Sequence, residues 1–153
     1  MERMGMEAQS SLATPADAEI IIKLYELRRE EVMRKARAWV IGEFWPACAD
    51  DYFAIVGNGA DPHNAWLRQV ISYWEMAAAM VLHGAVSAEL FVDCNGEGFL
   101  LLAKFAPFLE GIRGRFPTFL VKTSELVKRF TAAAARFEVV QKSVESMRDM
   151  RRK

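Results

Sequence analysis

The chain is poor in the residues that staple, turn or coordinate. Of 153 residues, two are cysteine, two histidine, five proline and nine glycine. Cys48 and Cys94 lie too far apart for a C-x-x-C motif, and two thiols make no disulfide framework. So few glycines and prolines argue against an all-β protein built on tight turns. Long apolar runs are also missing. The longest, Met76-Ala77-Ala78-Ala79-Met80-Val81-Leu82, is far short of the ~20 residues that cross a bilayer. The start, Met1-Glu2-Arg3-Met4-Gly5-Met6, has neither an apolar signal core nor a glycine at the second position for myristoylation. Charge of one sign is absent as well, with 20 basic residues against 20 acidic. That balance excludes a strongly cationic nucleic-acid module, and a hydrophobic content of 52% excludes intrinsic disorder. The expectation is a reduced, cytoplasmic protein with no integral membrane segment and no nucleic-acid partner.

What is present is helix punctuation. Residues 1–13 lack periodicity and read as a disordered or frayed tail, leaving 14–153 as one helical domain. Thr14-Pro15-Ala16-Asp17 combines a hydroxyl cap, a proline at the first helical position and a carboxylate in the first turn. A long first helix is expected from there to Phe44. Glu30 to Arg34 and Glu31 to Lys35 are spaced as ion pairs, and Ile21, Leu24, Val32, Ala36, Trp39 and Val40 form a broken apolar stripe. Pro46 predicts a kink, with helix resuming over 47–56. Gly57-Asn58-Gly59 stops it. Asp61-Pro62 opens a helix that ends at His83-Gly84, and Ser87 caps a short one over 88–93. Helix is expected again over 99–113, bent at Pro107.

The strongest periodicity lies at the end. Leu126, Phe130, Ala133, Phe137, Val140, Val144 and Met147 alternate steps of four and three, the seam of a coiled coil. Long first and last helices enclosing shorter ones predict an all-α, antiparallel bundle of about five or six helices. The seam is expected either on the first-helix stripe or on its own copy in a dimer.

Charge is polarised along the chain. Residues 46–100 carry seven acids and one base, a net of −6, whereas 101–153 carry twelve bases and five acids, a net of +7. Such halves either neutralise each other within a bundle or present a charged docking face.

Catalytic and metal motifs are missing. Neither His63 nor His83 follows a glutamate by three positions, so no di-iron pair forms, and no histidine–cysteine cluster suits zinc. Walker, dinucleotide and Gly-x-Ser-x-Gly patterns do not occur. No cofactor and no catalytic residue is expected. The helix over 62–82 is apolar nearly all round, crossed by a narrow polar stripe of Asn64, Arg68, Ser72 and Glu75, with His83 beyond. So greasy a helix is central, and a carboxylate within it needs a partner. Arg113 is the first candidate and Arg68 the second. His83 reads as a cap or turn residue.

At this helix a resemblance emerges. Its residues are Tyr73-Trp74-Glu75-Met76-Ala77, Gly84, Val86-Ser87-Ala88-Glu89-Leu90, Phe105-Ala106-Pro107-Phe108-Leu109, Arg113 and Pro117. Over about residues 62–120 the chain resembles an all-helical bacterial family known as a domain of unknown function. Ser87 stands where that family often has an acid, and Phe105 where it often has tryptophan. The resemblance implies a helical fold and a bacterial origin. It brings no activity, and it singles out Glu75 and Arg113 as a structural pair.

Two functions lead for these residues, ahead of nucleic-acid or acidic-surface binding by Lys122, Lys128, Arg129, Arg136 and Lys142, which the interleaved Glu125, Glu138 and Glu145 count against. The first is a non-enzymatic helical interaction or regulatory module, binding a protein partner or itself. The alternative is a small-ligand binder or enzyme using the Glu75 carboxylate in an interhelical pocket, with Arg113, Arg68 and His83 as the other candidate binding residues.

Overall fold

Thr14 opens the first helix as its residue type dictates. In the computed structural model, which describes residues 12–153, its hydroxyl accepts the Asp17 N–H while Asp17 accepts the Thr14 N–H. The tail expected over 1–13 lies, but for its last two residues, outside the described residues. Helix α1 (Pro15–Arg28) then stops. The continuous first helix does not form, because Glu30 leaves helical geometry and its carboxylate accepts the N–H groups of Val32 and Met33, capping α2 (Glu31–Arg37). Packing gives the reason. Leu24 and Met33 are both buried, yet nine residues apart on one helix they would point about 180° away from each other. Breaking the helix turns both inward. Glu31–Lys35 pairs as expected at 3.0 Å, whereas Glu30 is spent as a cap instead of pairing Arg34.

A π-helical segment, Ala38–Glu43, continues α2 and ends before Pro46. Pro46 does more than kink the chain. Helix resumes only at α3 (Ala49–Val56), and the Gly42 carbonyl, which a proline four residues on cannot serve, accepts Trp45 Nε1 and Arg151 instead. Helix α4 (Pro62–Leu82) begins on Asp61, whose carboxylate accepts the His63 N–H, and ends at His83. Ser87 caps α5 (Ala88–Cys94) through the Leu90 N–H. Helix α6 (Glu97–Phe105) passes at Pro107 through a 3-10 turn, Ala106–Phe108, into α7 (Leu109–Arg113).

The last helix is also broken. Helix α8 (Val121–Arg129) ends where Phe130 becomes extended, and α9 (Thr131–Arg151) follows. The elements are therefore shorter and more numerous than five or six, and no strand occurs among the described residues. The seam serves three neighbours: α8 lies on α4, and α9 lies on α6 and α5. Its Leu126, Ala133 and Val144 are buried inside the chain, against those helices and not against the first-helix stripe. Helix α4 is central, with Leu67, Val70, Trp74, Ala77 and Ala78 no more than 1% exposed. No helix among the described residues is long and apolar enough to cross a membrane.

Candidate functional site

Glu75 is half-buried, as its place on α4 requires, but no cation answers it. Its two carboxylate oxygens accept the backbone N–H groups of Lys122 and Thr123, both at 2.9 Å, and the Thr123 hydroxyl at 2.7 Å. Glu75 thus caps α8 from a helix far away in sequence, where the dipole favours negative charge. The expected Glu75–Arg113 ion pair does not form. Arg113 instead donates to the Phe119 carbonyl at 2.9 Å and to the Ser124 hydroxyl at 2.9 Å. The two residues hold one segment, residues 119–124. Within it, Leu120 is fully buried with φ 52°, a left-handed conformation that bulky residues resist.

Arg68 is exposed and makes no salt bridge among the described residues. With Glu75, Tyr52, Phe116 and Lys122 it lines an open groove of about 380 Å³. Asn64, the start of the polar stripe, is buried and donates to the Ile55 and Val56 carbonyls, closing the end of α3. His83 is the exposed C-cap of α4. The structure therefore brings Glu75 and Arg68 to one groove, which neither Arg113 nor His83 lines.

A second polar centre had no local signature in sequence. Arg37 grips Glu97 bidentately, Nε to Oε1 at 2.8 Å and a terminal nitrogen to Oε2 at 2.7 Å, while Trp74 Nε1 donates to Oε1 at 3.1 Å. The hydrogen bond to Glu97 raises the Arg37 pKa further above its ordinary value. Arg37 also donates to the Arg28 carbonyl, and Arg28 donates to the buried Asn95 side chain. This network closes the floor of a groove of about 620 Å³ between the α5–α6 junction and α9. Arg136 overhangs it without a salt bridge or hydrogen bond among the described residues, and Leu100, Val139 and Val140 form an apolar wall. A Cβ placed on Gly96 would stand 2.7 Å from the Arg136 guanidinium, so glycine there makes room for it. Three guanidiniums and one carboxylate line this groove.

Lys104 is the third unusual group. It is 1% exposed, and Nζ donates to the Val40 carbonyl at 2.7 Å and the Ile41 carbonyl at 3.1 Å, lying 4.4 Å from the Trp45 ring centre. Burial, with the charges of Arg151 and Arg148 adding to it, lowers its pKa from 10.5 to about 7. The carbonyls that end the π-helical segment thus gather cations: Lys104 takes two and Arg151 the third. The sequence did carry a signal here, since Lys104 is the one base within the apolar run Phe99–Phe108. Among the described residues no three His, Cys, Asp or Glu side chains are grouped to hold a metal ion.

The family model for a domain of unknown function, DUF4760, matches residues 13–130. The likeness read over 62–120 therefore extends to most of the chain and stops just before α9. No curated protein and no solved structure matches it.

Proposed function

We propose, for a chain that belongs to the DUF4760 family, that it is a non-enzymatic helical binding module of the bacterial cytoplasm, taking an anionic group of its partner in the groove beside α9. The observation that carries this reading is how the polar groups are spent. Glu75 caps a helix, Glu97 is paired, and Lys104 serves carbonyls, so each strong acid or base in the interior is engaged in structure. The guanidinium of Arg136 is not, having no hydrogen bond or salt bridge among the described residues, and that of Arg28, which lies over the Tyr25 and Trp74 rings and uses one terminal nitrogen on Asn95, keeps donors to spare. Guanidinium donors lining a groove with no acceptor among the described residues suit recognition of carboxylate or phosphate.

Titrating the protein with polyglutamate while following the arginine Nε–H resonances tests this. The signals of Arg28 and Arg136 should move at low salt and return as salt is added. Unmoved signals at both would dismiss the groove as the working surface.

A second reading has one observation in its favour. The 380 Å³ groove at Glu75 is large enough for a small ligand, with Arg68 and Lys122 at its rim. There Glu75 lines the groove while its oxygens accept three hydrogen bonds from α8. Small anions that shift Arg68 while leaving Arg136 still would favour this second site.

A further inference from the structure

Resting on the reading of the α9 groove as an anion site, we infer that its occupant is an acidic amphipathic helix of a partner protein. The groove has the shape of a track. On its α9 side lie Arg136, Val139, Val140 and Ser143, the positions i, i+3, i+4 and i+7 of one helical face, and these run about two turns. The other lining residues include Arg28, Leu100 and the Arg37–Glu97 pair. Charged and apolar side chains thus line the same groove, Arg136 with Val139 and Val140 on α9 and Arg28 with Leu100 across from them. Val139 is 65% exposed, although it sits between the basic and the apolar part of the groove.

A small anion would use the guanidiniums and leave Val139 wet. A helix placed along α9 covers both: a carboxylate between Arg28 and Arg136, and an apolar side chain one turn on against Val139 and Leu100. That is the helix-in-groove mode, with anchors at i and i+3 or i+4. Charge complementarity sets the sign, since three arginines and a single glutamate leave the groove at +2.

The full chain is tested by fluorescence anisotropy against a labelled helical peptide of alternating Glu–Leu face. Two controls accompany it, one with Glu replaced by Gln and one with Leu replaced by Ser. The parent peptide should bind at least about tenfold more tightly than either control. Arg136→Ala removes a side chain that holds no structural partner, so it should weaken binding about tenfold with an unchanged melting curve. Gly96→Ala keeps every charge but pushes the Arg136 guanidinium aside, and should weaken binding as well. Equal binding of the parent and Ser peptides, both lost in the Gln peptide, would overturn the helix while leaving the anion site standing. No binding of any peptide, with Arg136 unmoved by polyglutamate, would remove both. Self-association abolished by Arg136→Ala would make the occupant a second copy and overturn the partner helix.

Discussion

Glu75 and Lys104 show how a residue's surroundings, and not its type, fix its work. Glu75 looked like one half of an ion pair, because a carboxylate on a buried helix must be answered. The requirement was met, but by backbone N–H groups and a hydroxyl of α8. Glu75→Ala should lower stability by about 1–2 kcal/mol, a lost cap plus exposed orphan donors, measured by urea denaturation. An unchanged midpoint would show that the α8 start does not depend on it. Lys104 makes a pH prediction whose sign is definite. Its folded-state pKa of about 7 lies below the ordinary 10.5, so between those values the unfolded chain holds the extra proton. Stability therefore rises with pH across that window and the penalty of burying the ammonium is largest below it. Lys104→Met should flatten the slope of stability against pH from 7 to 10.5. A slope equal to that of the unaltered chain would assign the effect elsewhere.

Among the elements, starts were legible and breaks were not. Thr14, Asp61 and Ser87 each cap the helix that follows, because a hydroxyl or carboxylate beside free N–H groups is a local arrangement. The interruption at Glu30 is decided by distant packing, since only a break lets Leu24 and Met33 face the same interior. Nothing in the residues around Phe130 marks the second interruption, where α8 turns from α4 and α9 onto α6. The Glu30 cap gives a measurable consequence. Hydrogen bonds from Val32 and Met33 lower the Glu30 pKa below 4.5, so the cap is in place above the unfolded value and fails as pH falls through the lower one. Amide exchange at Val32 and Met33 should accelerate in acid, and Glu30→Ala should show that fast exchange already at neutral pH. Protection unaffected by the substitution would contradict the cap.

At the scale of the whole molecule, α2, α4 and α6 meet through a single carboxylate. Glu97 receives Arg37 and the Trp74 indole at one point, with side-chain exposures of 27% and 16% for the charged pair. Glu97→Gln leaves the Arg37 guanidinium half-buried without its counter-charge and should cost about 2–3 kcal/mol, seen as an earlier thermal transition and altered Trp74 fluorescence. The end of α9 closes the opposite side, where Arg148 donates to the Lys104 carbonyl and Arg151 to that of Gly42. Removing residues 148–153 should lower the melting temperature by a few degrees, and no change would mean that these contacts are idle. The amino-acid order by itself determined that the chain is helical, where most helices begin, that the Trp74 helix is central, and that metal and nucleotide motifs are missing. Those properties follow from spacing and from neighbours within a few positions. Only the tertiary structure decided which charge meets which partner, where long helices break, and which arginines are left with unspent donors. Such pairings join residues 44 to 109 positions apart in Lys104–Arg148, Arg37–Glu97 and Gly42–Arg151. Their energy is gained only once the chain has folded back, so no local pattern records them.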